Sequence, residues 1–121
     1  MLGIVFAWLL SGCPAHLDIA IAQAVIESDL DPTAVSHVNG TLFCGLWQTT
    51  AHSKAECKRQ QDVFVDYEIY RAELAKWDSY THNLAMSLDS YACGWKGPEN
   101  GCHNYSKRVL HLAKRIREKW L

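Results

Sequence analysis

The apolar positions from Leu17 to Ile26 run almost all the way round a helix: only Asp18 and Gln23 interrupt them. A surface helix carries an apolar stripe, whereas one that is apolar on nearly every side belongs in a core. The pattern therefore predicts a buried central helix over about Pro14 to Glu27. Further on, Val63, Tyr67, Tyr70, Leu74 and Trp77 recur at helical spacing and predict a second long helix with that stripe in the core. Two more helices are predicted, over about Thr81 to Ala92 and His103 to Trp120. Between the first two the pattern changes. Asp31 suits the cap of a short helical turn, with Pro32 in the first position, where a missing N–H costs little. Asn39-Gly40 is a tight-turn signal between Ser36-His37-Val38 and Thr41-Leu42-Phe43, which predicts a small β-hairpin. No repeat, low-complexity tract or linker appears. A chain of 121 residues with 49% hydrophobic content can bury one core, so the expectation is a single, mainly α domain over residues 1–121.

Charge and the chain ends add little that is specific. The formal net charge is −1, so charge alone names no partner. The last predicted helix is basic, with Lys107, Arg108, Lys114, Arg115, Arg117 and Lys119 against Glu118, and an apolar face of Val109, Leu112, Ala113, Ile116 and Trp120. That is the composition of a solvated amphipathic helix, with attraction to an anionic wall polymer as the functional reading. No nucleic-acid fingerprint accompanies it. Leu2 to Leu10 is apolar and Leu10-Ser11-Gly12-Cys13 looks like a lipoprotein cleavage box, but no positive charge precedes it. The run is too short to span a bilayer. A packed first helix ending at Gly12-Cys13-Pro14 is favoured over a processed signal.

Cysteine and histidine usage argues against a metal site. Cys13, Cys44, Cys57, Cys93 and Cys102 contain no Cys-x-x-Cys pair, and the six histidines show no ligand spacing. No metal or cofactor is expected. Disulfides suit a small protein working outside the cytoplasm. Cys93 with Cys102, across the Gly97 to Gly101 loop, is the first choice and Cys44 with Cys57 the second, with buried free thiols as the alternative.

Glu27 is the most informative single residue. A carboxylate at the C-terminal end of a buried helix is disfavoured by desolvation and by the helix dipole, and both keep a proton on it, as a general acid requires. Glu27-Ser28 is followed by Asp31-Pro32-Thr33-Ala34-Val35-Ser36, then Gly45-Leu46-Trp47-Gln48, Ser87 to Gly94, and Tyr105-Ser106-Lys107-Arg108-Val109-Leu110. In that order these blocks resemble the lytic transglycosylases of the soluble (SLT) type, lysozyme-like enzymes that cut peptidoglycan. The resemblance spans about Gly12 to Leu110 and is nearest to the small members carried by phages and by conjugation or secretion machinery. It implies a lysozyme-like fold with the hairpin beside an active-site cleft. It also implies peptidoglycan glycan strands as substrate, virion or secretion-system proteins as partners, and action in the periplasm or cell wall without stable membrane insertion.

The resemblance also implies roles. Glu27 would be the catalytic acid and then the base. Ser28 would hydrogen-bond substrate or fix the Glu27 carboxyl, or else cap the helix. Gln48 matches the glutamine that contacts the sugar chain, with loop hydrogen bonding as the plain alternative. Trp47 stands where the family has methionine; it suits a sugar-stacking platform or the core equally. Tyr105 matches the tyrosine directed at the catalytic carboxyl and Tyr91 that of Tyr-Asn, although the next residue here is Ala92. Glycosidases generally use two carboxylates. A c-type lysozyme carries its second two residues before the glycine, where this chain has Phe43. A single glutamate suits the transglycosylase reaction. A hydrolase using Asp29, Asp31 or Asp89, and a wall-binding module without turnover, are the competing readings.

Overall fold

The computed structural model describes residues 17–94 and 103–120. Among these, 69% are helical, in five helices with one three-stranded antiparallel sheet, which makes the chain mainly α. The first helix, α1 (Leu17–Ser28), is followed by β1 (Val35–Val38), β2 (Thr41–Cys44) and β3 (Thr49–Ala51), in that order across the sheet. Next come α2 (Lys54–Gln60), α3 (Val63–Thr81), α4 (Leu84–Cys93) and α5 (His103–Trp120). No helix among the described residues is long and apolar enough to cross a membrane. The expected first helix and Gly12-Cys13-Pro14 turn lie outside the described residues. The chain contacts cluster into two compact units that divide after Tyr70.

In the first unit the buried helix is where the pattern puts it. Leu17, Ile19, Ala20, Ala22 and Ala24 are buried, and so are the two polar interruptions, Asp18 and Gln23. Gln23 is accommodated because its Oε1 accepts from the hydroxyl of Tyr70. Trp47 fills the space beside α1, stacked on Tyr70 at 5.1 Å between ring centroids and tilted against Tyr67 at 5.4 Å. Its indole N–H donates to the carbonyl of Ala20 at 2.8 Å, so the one polar atom of this side chain is satisfied in the core.

The hairpin forms as expected around Asn39 and Gly40, whose φ values of 50° and 81° match a two-residue primed turn. Val38 pairs with Thr41 and Val35 with Cys44. Two elements were not expected. A third strand adds Leu42 opposite Ala51 and Cys44 opposite Thr49, and α2 follows it, capped by Ser53, whose side chain accepts from the Glu56 N–H. The Asp31–Pro32 segment makes a single turn and goes no further: the Ala34 N–H returns to the Asp31 carbonyl, and the Asp31 carboxylate caps the turn as expected, accepting from the backbone N–H and hydroxyl of Thr33. A disulfide joins Cys44 to Cys57 and ties β2 to α2, the second of the two expected pairings. Cys93 is also disulfide-bonded, and its expected pairing with Cys102 lies outside the described residues.

In the second unit Leu88, Val109 and Ala113 are fully buried, and Trp77 and Ile116 nearly so. Asn83 caps α4, accepting from the Met86 N–H. The carboxylate of Asp89 accepts from the Ser106 N–H at 2.9 Å, so an acidic residue of α4 sits at the positive end of α5. The side chains of Lys107, Arg108, Lys114, Arg115, Arg117 and Lys119 are exposed, as the amphipathic pattern of α5 requires.

Candidate active site

Glu27 occupies the last turn of α1 and is half-buried. The helix ends immediately after it, at Asp29 and Leu30, both left-handed at φ 54° and 62°. Their N–H groups turn back to the carbonyls of Val25 and Ala24. A left-handed leucine is strained, and such strain gathers where surrounding structure dictates the path. Ser28 supplies that structure. Its hydroxyl lies 2.9 Å from the carbonyl of Leu46 and 3.1 Å from that of Ala24, and it accepts from the Asp31 N–H. The residue beside Glu27 therefore caps its helix and holds the loop after β2.

That loop is fixed from the other side by Gln48, itself left-handed at φ 51°. Both hydrogens of its amide are engaged, with the carbonyls of Ala34 and Gly45, each at 3.0 Å. Its Oε1 accepts from Ser36. The two sequence blocks Asp31–Ser36 and Gly45–Gln48 are thus joined through one side chain. The geometry gives Gln48 the loop-bonding role and leaves its amide N–H groups no donor for a sugar. Trp47 is corrected outright as a substrate platform. It is 0% exposed with Tyr67 and Tyr70 against it, which leaves no ring face open to a sugar.

Asp66 is a residue the sequence reading missed. It lies within the stripe Val63, Tyr67, Tyr70, on the buried side of α3, and is 0% exposed. Its carboxylate accepts from the Trp47 N–H at 2.9 Å and from the Thr49 hydroxyl, which also accepts from the Gln60 amide. Burial pushes its pKa up to about 6, against the opposing pull of those two hydrogen bonds. A lone acidic residue on an apolar helical stripe was the signal that could have found it.

Tyr91 on α4 and Tyr105 in the first turn of α5 are both half-buried and belong to the second unit. Ala92 is exposed. Comparison of the chain with protein families, curated proteins and solved structures returns no match. The reading therefore rests on residues.

Their chemistry is narrow. Phe43, at the place of a second carboxylate, lies half-buried in β2. Asp89 and Asp66 are buried and accept from backbone N–H groups. Asp29 and Asp31 are exposed, and the Thr33 hydroxyl and N–H hold the Asp31 carboxyl below its usual range. Among the described residues no cluster of three His, Cys, Asp or Glu side chains could hold a metal ion.

Proposed function

We propose that this protein is a lysozyme-like lytic transglycosylase of the soluble type, which cleaves the bond between N-acetylmuramic acid and N-acetylglucosamine in peptidoglycan. The observation that carries the reading is the 2.9 Å contact between the Ser28 hydroxyl and the Leu46 carbonyl. It joins the Glu-Ser helix end to the Gly45–Gln48 loop, and Gln48 joins that loop to Ser36 and Ala34. Three blocks that resemble the family in sequence are thus mutually bonded in space, around a half-buried glutamate at a helix end.

In this reading Glu27 protonates the glycosidic oxygen as the bond to the anomeric carbon breaks. The substrate's acetamido group stabilises the positive charge that develops there. The ionised Glu27 then takes the proton of the C6 hydroxyl, whose oxygen closes a 1,6-anhydro ring. The proton balance returns the enzyme to its starting state with no water consumed. Phe43 favours this single-carboxylate chemistry over the two-carboxylate route, and the commitment of Asp66 and Asp89 to backbone donors supports the same choice. Tyr91, Tyr105 and the partners of the wall-crossing machinery keep the roles that the resemblance implies for them.

The test is mass spectrometry of purified peptidoglycan digested by the protein, with Glu27→Gln as control. Products ending in 1,6-anhydromuramic acid, absent from the variant digest, are expected. Ordinary reducing ends would make water the acceptor and return the enzyme to the hydrolase class. A folded protein that sediments with wall material and releases nothing would make it a binding module.

A further inference from the structure

The antiparallel register divides the hairpin into two faces. Paired residues share a face and neighbours along a strand alternate, so Val35, Leu42 and Cys44 lie on one side and Ser36 and Phe43 on the other. Ser36 is the residue bonded to Gln48, so that second face is the one continuous with the Glu27 loop. The first face meets α2 through the Cys44–Cys57 disulfide. Between them is an open groove of about 380 Å³, lined by Val35, Leu42, Lys54, Cys57, Lys58 and Gln61.

The lining sorts into two kinds of group. Leu42, Cys57 and Val35 make an apolar side, and Val35 is 52% exposed although it is β-branched and in a strand. Lys54 and Lys58 stand one helical turn apart, about 6 Å along the axis. Neither ammonium is paired with a carboxylate among the described residues, and the Gln61 side-chain amide has no hydrogen-bond partner there. Their acidic neighbours face backbone donors instead: Glu56 accepts from the His52 N–H, and Asp62 from Phe64 and Val65. The groove thus offers two unneutralised cations beside an apolar wall. Its complement is a ligand with small alkyl groups and carboxylates spaced a few ångströms apart.

We propose that this groove binds the stem peptide of peptidoglycan, with carboxylates at Lys54 and Lys58 and alanine methyls against Val35 and Leu42. The assignment rests on the wall-cleaving reading for the identity of the polymer. It predicts that the protein holds peptide-bearing strands better than bare glycan, by contacts on the sheet face opposite Ser36.

The test uses a synthetic tetrapeptide of L-alanine, D-isoglutamate, diaminopimelate and D-alanine, titrated into the full chain by NMR. Shifts confined to residues 54–61 and the Val35 and Leu42 methyls are expected. Affinity should fall about tenfold in the double variant Lys54→Gln, Lys58→Gln, as two exposed charge contacts allow. In parallel, that variant should lose turnover on peptide-bearing glycan through a higher KM, with peptide-stripped glycan cleaved as before. Groove binding that the double variant loses supports the site even where no glycan is cut, which would sink the enzyme reading alone. Glycan cleavage without peptide binding overturns the groove and leaves the enzyme. Equal binding of poly-L-glutamate overturns it too, since charge alone would then account for the affinity.

Discussion

The backbone N–H of Trp47 donates to Oδ2 of Asp66 at 2.9 Å, across nineteen residues of sequence. Through this bond a buried carboxylate on α3 holds the loop whose other fastenings are Ser28 and Gln48.

Asp66 should therefore give stability a recognisable pH dependence. Its pKa is raised in the fold, from 3.8 to about 6, so the folded state holds a proton that the unfolded chain releases. Stability then falls as pH rises between about 4 and about 6, by about 3 kcal/mol at most. Asp31, whose pKa is lowered, acts in the opposite direction and below pH 4, outside that window. Urea denaturation at several pH values should show the midpoint dropping through this range in the wild type. Asp66→Asn, which cannot ionise, should remove most of the slope; an unchanged slope would assign it to another group.

Gly45 is the tightest point in the same loop. A Cβ there would stand 2.4 Å from the Gln60 carbonyl oxygen and 2.6 Å from Oδ2 of Asp66, at a φ of 90°. The carbonyl belongs to backbone and cannot swing aside. Gly45→Ala combines left-handed strain with overpacking and should cost on the order of 4 kcal/mol. Gly40→Ala makes the comparison clean: φ is 81° but nothing lies within 4 Å, so only strain of about 1 kcal/mol applies. Thermal melts of the two variants should separate widely, and equal losses would refute the close approach at Gly45.

The Cys44–Cys57 bridge closes a segment with a sequence separation of 13 that contains the loop and β3. Loop-closure entropy assigns such a cross-link about 3 kcal/mol. Replacing both cysteines by serine should lower the unfolding free energy by that order, and a reducing agent, which also opens the Cys93 bridge in both proteins, should lower the wild type by about that much more than the variant. Equal sensitivity of both proteins to the reductant would trace the effect to another cysteine.

These elements also show which parts of the sequence spoke plainly. Asn39-Gly40 announced its turn because φ must be positive at both residues, and Leu17 to Ile26 announced a buried helix because so few polar groups interrupt it. The helix α2 went unread because its sequence, KAECKRQ, buries only Cys57 and Gln60 and has no apolar stripe; Ser53 with Glu56 was the available cap signal. Trp47 was ambiguous on composition alone, since an indole suits a sugar platform and a core equally. Only its contacts with Ala20, Tyr67 and Tyr70 decide that. Asp66 was hidden by its own stripe: helical periodicity identifies the buried face but does not say which loop needs an acceptor there.

Gln48 separates a positioning role from a substrate contact. Its side chain makes three hydrogen bonds, to Ala34, Gly45 and Ser36, all within the protein. At a net value of about 1 kcal/mol each, Gln48→Leu should lower stability by about 3 kcal/mol. The loop it holds is also held by Ser28, next to Glu27. Loosening it should therefore lower kcat on peptidoglycan, and kcat should recover partly at lower temperature as the loop reorders. A sugar-binding glutamine would behave differently, raising KM with the melting temperature unchanged. Denaturation of Gln48→Leu, read beside its kcat and KM, distinguishes the two, and an undiminished stability would rule out the positioning role.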